Sequence, residues 1–311
     1  MKLVKPLLAL ALLVAITGVA LVLNAVSATG ARAPAEPVFI KAAQILEHGR
    51  PERLALRSQV ALVLDEREGV VLYERASGTP RPIASLTKLM TALVILESGA
   101  ALDGSVMITQ EDRDRLKGSH SRIAFGGVFT RGDLLRAALG ASDNRAASAL
   151  ARAFAGGHVA FIAAMNAKAQ ALGMTSTRFT DASGLSAGNV STARDLRKLL
   201  DAAHSQPLIH DFTTLGEFYI TDLVTHRITP FVNTNRLVRQ ERWGIALSKT
   251  GYTSDAGYCL AMQTTVAGRP ISIVLLNSWG KASKYGDAQR IRDWLIDTER
   301  RIPAVTAQVQ L

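Results

Sequence analysis

Strand-prone runs at both ends of the chain, separated by a long middle stretch patterned as helix, restrict this fold more than any other feature of the sequence. Val60-Ala61-Leu62-Val63-Leu64 and Val70-Val71-Leu72-Tyr73 are rich in residues that strands favour. The polar segment 65–69 between them ends in Gly69, so the pair reads as a hairpin. Residues 245–248, 257–266 and 270–276 repeat the pattern late, with Ala267-Gly268-Arg269 as a tight turn. In residues 85–98 the period changes: Leu89, Leu93 and Leu96 recur one turn apart and Gly99 stops the run. Thr130 and Thr192 each precede an acid by three positions, the pattern of a capping hydroxyl with a carboxylate in the first turn. An Ala-rich run at 158–172 closes on Gly173, and a last segment, 287–302, sets Ile291, Trp294, Leu295 and Ile302 on one side. The order of strands, one long helix, a helical block over roughly 100–215, strands and a final helix predicts an α/β sandwich. Its sheet is antiparallel and flanked by helices, with an all-α subdomain inserted.

Composition sets how such a fold must be held. Of 311 residues, 48% are hydrophobic and 20% charged, the mixture of a packed globular protein. Cys259 is the single cysteine, so no intramolecular disulfide forms; in its apolar surroundings it reads as a buried thiol without catalytic duty. The net charge of +10 serves solubility or draws polyanions. Nucleic acid is not expected, because no dense basic run is interleaved with aromatics and no zinc-finger spacing occurs. Acidic peptides and anionic lipid headgroups fit better, given the N-terminus. There Lys2 and Lys5 precede an uncharged stretch over 6–30, the plan of an export signal. Ala31-Arg32-Ala33 offers a cleavage site, with Ala28 and Ala31 as other ends, and the run is also long enough to stay as a membrane anchor. Either way the rest is expected in the periplasm, with membrane contact only through 1–33 if that segment is uncleaved. Residues 34–57 then read as a linker or loose N-terminal helix, 58–302 as the folded domain and 303–311 as a tail.

Three short motifs carry chemistry. In Ser85-Leu86-Thr87-Lys88, helical spacing puts a hydroxyl beside an amine one turn away. Serine becomes a nucleophile once a base takes its proton, and lysine is such a base when burial and a helix N-terminus lower its pKa. One Ser-x-x-Lys arises by chance in about every chain of this length; a second copy, Ser278-Trp279-Gly280-Lys281, follows a strand and holds a glycine where a helix would begin. Ser142-Asp143-Asn144 follows an apolar segment and by itself is an ordinary turn or cap. Lys249-Thr250-Gly251 is placed at the end of a strand.

The ordered set is similar to that of penicillin-binding proteins and class A β-lactamases. Segments 83–92, 249–253 and Asp181-Ala182-Ser183-Gly184-Leu185 resemble the low-molecular-weight D-alanyl-D-alanine peptidases more closely. His226-Arg227-Ile228-Thr229-Pro230 and Asn233-Thr234-Asn235-Arg236-Leu237 resemble the endopeptidases of the penicillin-binding protein 7 type. Asp143 departs from the Gly or Glu of many members. The resemblance implies a β-lactamase/transpeptidase-like fold and hydrolysis of peptidoglycan cross-links through a Ser85 acyl-enzyme. Lys88 would be the base, Ser142 would relay a proton to the leaving amine, and Asn144 would hold Lys88 and the substrate amide. Lys249 and Thr250 would bind substrate carboxylate, Gly251 would admit close backbone approach, and the N–H groups of Ser85 and Tyr252 would form the oxyanion hole. Stem peptides are the expected partners, β-lactams the covalent inhibitors, and no metal or cofactor is expected. The chain stops nine residues after Ile302, without the second β-rich domain and membrane helix of typical carboxypeptidases. A carboxypeptidase, a class A-like β-lactamase and a non-catalytic peptidoglycan-binding protein are the alternatives. The lactamase reading lacks the glutamate it needs, since only Asp181 is acidic between Ala163 and Thr192.

Overall fold

Early and late strands of the chain meet in one sheet. The structure, a computed structural model, describes residues 40–302, so the expected leader and tail lie outside the described residues. It begins with helix α1 (Ala42–Gly49), strands β1 (Ser58–Asp65), β2 (Val70–Arg75) and β3 (Arg81–Pro82), and helix α2 (Thr87–Glu97). Strands β4 (Ser105–Met107) and β5 (Val128–Thr130) lead into helices α3 (Arg131–Gly140), α4 (Asn144–Arg152) and α5 (Gly157–Ala171). Strand β6 (Val190–Ser191), helices α6 (Ala193–His204) and α7 (Pro207–Thr214), and strands β7 (Glu217–Thr221) and β8 (Ile228–Val232) follow. Strands β9 (Ile245–Thr253), β10 (Gly257–Val266) and β11 (Arg269–Ser278) and helix α8 (Ser283–Arg301) complete it.

The main sheet has the order β2-β1-β11-β10-β9 with every pairing antiparallel. Its inner strands are apolar on both sides because both faces are covered. Val60 and Leu62 of β1 point into the core beneath the helical lobe, and Ala61 and Val63 into a second core under α1 and α8. The β10–β11 turn is the expected tight one: Ala267 (φ 50°) and Gly268 (φ 76°) are both left-handed, as a two-residue hairpin loop requires. The capping expectations hold as well, since Thr130 and Thr192 accept from the backbone N–H of Asp133 and Asp195, each at 3.0 Å.

Residues 42–49 take the helical alternative and form α1, docked on α8, where Trp294 Nε1 donates to the Gly49 carbonyl at 2.6 Å. Three features differ from the sequence reading. The segment 85–98 begins as a 3-10 turn at Ala84–Leu86 before α2 starts at Thr87. Lys249-Thr250-Gly251 lies inside β9, not at its end, because β9 runs on to Thr253. The last helix starts at Ser283, four residues before the expected Asp287. Two small two-stranded sheets, β4–β5 and β7–β8, carry too little periodicity to be read from sequence.

Candidate active site

Helix α2 runs through the interior, with nine of its eleven residues buried, and a helix apolar all round belongs in a core. It anchors the turn that carries Ser85. Ala84, just before Ser85, is left-handed (φ 48°), a conformation costly for a residue with a Cβ. Three neighbours fix it. The Thr87 hydroxyl donates to the Ala84 carbonyl at 2.8 Å. Gly184 (φ 84°) packs so closely that a Cβ there would stand 1.9 Å from the Ala84 oxygen. Gly251 of β9 abuts the same turn, its missing Cβ position 3.1 Å from Ser85 N. The glycine of the third motif therefore admits the nucleophile's own backbone, where the sequence had suggested ligand approach.

Lys88 projects from the first turn of α2 and is wholly buried. Its Nζ lies 2.9 Å from Ser85 Oγ, 2.6 Å from Asn144 Oδ1 and 2.6 Å from the Ser183 carbonyl. The last two partners can only accept here, since Asn144 Nδ2 is turned away to donate to Ser119 Oγ at 2.8 Å. A neutral lysine has two N–H bonds for these acceptors, and its lone pair is then left facing the Ser85 hydroxyl. Burial lowers the Lys88 pKa to about 7, against the opposing pull of Asp181, Asp143 and Asp114. The geometry and the acidity both suit a base.

The second motif joins α3 to α4. Ser142 is left-handed (φ 60°), and Asp143 caps α4 by accepting from Ala146 N at 2.9 Å. That cap explains the acid at a position where the resemblance suggested Gly or Glu. Burial raises the Asp143 pKa, while Ser121 donates to its other oxygen at 2.7 Å. From β9, Lys249 Nζ donates to Ser142 Oγ at 2.8 Å and to the Thr250 carbonyl at 3.1 Å. Its pKa lies well below the ordinary lysine value, first because of burial and then through repulsion from Lys88 and Lys284. Thr250 Oγ1 donates to Thr234 Oγ1 at 2.8 Å, and Tyr285 of α8 holds the Thr234 carbonyl at 3.0 Å. Tyr252 follows on the edge strand, exposed and stacked on Tyr258 with ring centroids 4.2 Å apart.

All three motifs therefore converge. Ser85, Lys88 and Asn144 touch directly, and Ser142, Lys249 and Thr250 form the facing group. The decoy Ser278 is buried elsewhere, sharing a 2.7 Å hydrogen bond with Ser58 Oγ. Cys259 is buried as expected, which pushes its thiol pKa up to about 11. Sequence reasoning missed the Ser183 carbonyl and Ser119. A backbone oxygen has no residue signature, although the segment 181–185 that presents it stood out by resemblance.

The family model described as D-alanyl-D-alanine carboxypeptidase matches residues 47–280. A D-alanyl-D-alanine endopeptidase of Pseudomonas aeruginosa is 44% identical over 247 residues, 79% of this chain and 80% of that protein. One from Escherichia coli K12 is 42% identical over 252 residues, 81% of each. The crystal structure of the Streptomyces K15 DD-transpeptidase superposes with a TM-score of 0.72 at 27% identity, covering 78% of this chain and 98% of that one. The fold is of the penicillin-binding, transpeptidase-like class. Within it, this chain belongs to the D-alanyl-D-alanine carboxypeptidase family of serine peptidases.

Proposed function

We propose that the protein is a D-alanyl-D-alanine endopeptidase that hydrolyses peptide cross-links in peptidoglycan through a Ser85 acyl-enzyme. The observation that carries this reading is the Ser85–Lys88 contact, with the lysine's other two positions taken by fixed acceptors. The two relatives above 40% identity bear the endopeptidase name. Ser85 Oγ attacks the D-alanyl carbonyl as Lys88 takes its proton. The backbone N–H groups of Ser85 and Tyr252 stabilise the oxyanion. As the tetrahedral adduct collapses, the C–N bond breaks and Ser142, held by Lys249, relays the proton from Lys88 to the departing amine, which leaves Lys88 neutral again. Asn144 keeps Lys88 in place and faces the substrate amide. Lys249 and Thr250 attract substrate carboxylate. Water then attacks the ester, Lys88 again receives a proton, and Ser85 is released. The stem peptides are the partners, and β-lactams acylate the same serine.

A carboxypeptidase reading has its own support: the family description, and a Streptomyces relative of that name 31% identical over 242 residues. Incubating the enzyme side by side with cross-linked muropeptide dimers and pentapeptide monomers separates the two. Faster conversion of dimers to monomers is expected; trimming of pentapeptide with dimers left intact would contradict the endopeptidase assignment. The patterning of residues 1–33 supports export to the periplasm. A reporter active only in the cytoplasm, fused after Leu311, should stay silent, and a strong signal would exclude export.

A further inference from the structure

Beside the catalytic turn lies a second recess. It opens at the end of the sheet where β9 and β11 finish and β10 begins, takes in Tyr252, one residue beyond Gly251, and has a volume of about 630 Å³. That volume is within the roughly 300–1,000 Å³ range of small-molecule sites. Its walls are chemically selective. Tyr252 and Tyr258 stack on each other with ring planes 23° apart, and Lys284 Nζ lies 5.1 Å from the Tyr258 ring centroid, so the exposed phenol offered to a ligand is that of Tyr252. Trp279 also lines the recess, with 83% of its surface exposed, whereas Trp243 and Trp294 are 1% and 9% exposed. The polar lining is the guanidinium of Arg57, the carboxamides of Gln59 and Asn277 and the hydroxyls of Ser254 and Ser278, and no carboxylate lines the recess. These carboxamides are pre-positioned. Gln59 Oε1 accepts from Arg81 at 2.8 Å and from Asn277 Nδ2 at 2.8 Å. Asn277 is itself held left-handed (φ 49°), and Gly257 leaves the room for its side chain. Backbone strain of this kind persists where the surroundings enforce it, and it concentrates at ligand sites.

Flat aromatic faces flanked by amide and guanidinium donors match one ligand chemistry above others, a saccharide. The C–H face of a sugar ring covers an exposed indole or phenol, its hydroxyls need donors and acceptors at the ring edge, and the absence of acids admits acidic substituents. We propose that this recess is a carbohydrate subsite that binds N-acetylated amino-sugar units of the glycan to which the substrate peptides are attached. The proposal rests on the peptidoglycan reading above. It adds a second point of attachment, next along β9 from the active-site residues 249–251, that would favour glycan-linked cross-links over free peptides.

The test uses the purified protein with tetra-N-acetylchitotetraose as probe. Because Trp279 is the exposed indole among the three, saturable binding should blue-shift the emission and shield it from acrylamide. Calorimetry should show affinity falling about tenfold in Trp279→Ala, the loss of one aromatic stacking partner, with Trp279→Phe recovering most of it. In kinetics, Trp279→Ala should cleave a sugar-free peptide dimer at the wild-type rate yet act several-fold more slowly on cross-links still joined to glycan. The subsite is overturned if the wild type shows no saturable binding, if sugar-free peptide displaces the saccharide, or if Trp279→Ala slows both substrates equally. Failure of the wild type to cut the sugar-free dimer would instead strike the endopeptidase assignment, and saccharide binding would still report on the recess.

Discussion

At the scale of single residues, the proposed chemistry depends on keeping one buried amine uncharged. An isolated ammonium in a protein interior is so costly that the group gives up its proton instead. Lys88 has a pKa of about 7 because burial outweighs the three surrounding aspartates. The sign of the pH dependence follows. The base is the deprotonated form, so the rate of serine acylation should rise with pH, about tenfold per unit below 7, and level off above it. Measuring penicillin acylation by stopped flow from pH 5 to 9 checks this; a profile that is flat through 7, or falls, would remove Lys88 from that role. Lys88→Arg should abolish acylation even in the fraction that folds, since guanidinium stays charged at any useful pH and cannot accept a proton. Ser85 and Lys88 were legible in the sequence because helical spacing alone puts positions three apart on one face. Of the acceptors that aim the lone pair, Asn144 came only through the resemblance, since it arrives from a helix 56 residues away, and the Ser183 carbonyl was missed because a backbone oxygen has no residue signature.

At the scale of elements, the strained turn before Ser85 is the common meeting point. Helix α2 supplies its floor, β9 its side and the segment 181–185 its roof. Asp181 organises that roof. Its Oδ1 accepts from Ser183 N at 2.6 Å and Gly184 N at 2.7 Å, and its Oδ2 from Ser186 N at 2.8 Å. This carboxylate is occupied in holding backbone and is poorly placed to activate water, which agrees with reading the chain as a peptidase and not a lactamase. Gly184 tests the arrangement. An alanine there would meet the Ala84 oxygen at 1.9 Å and would need a positive φ as well. Gly184→Ala should therefore lower stability by about 1–3 kcal/mol, and in the fraction that still folds it should slow acylation far more than it weakens carboxylate binding. Thermal melts together with the acylation rate measure both; an unchanged rate would mean that the turn does not depend on this contact. The long helices, their threonine caps and the β10–β11 hairpin were readable because period and turn chemistry are local. The extent of β9 was not, since Lys249-Thr250-Gly251 looks like a strand end until β10 is seen pairing along it.

At the scale of the whole molecule, a sheet built from early and late strands carries two cores, one beneath the helical lobe and one beneath α1 and α8. This explains why 42–49 joins the fold: α1 covers apolar surface that α8 alone leaves open, and Trp294 fixes it by its bond to Gly49. No sequence pattern announces such a contact, because the two partners are 245 residues apart. The active site lies where the helical lobe, carrying Ser142 and Asn144, faces the edge strand carrying Lys249, with Ser85 between them. The central claim is that this convergence makes Ser85 the acylated residue. Peptide mapping by mass spectrometry of the protein trapped with benzylpenicillin tests it most directly. A single adduct on the peptide containing Ser85 is the predicted result, persisting for minutes because no free carboxylate in 163–192 stands ready to activate a deacylating water. An adduct on Ser142 or Ser278, or no adduct at all, would contradict the account.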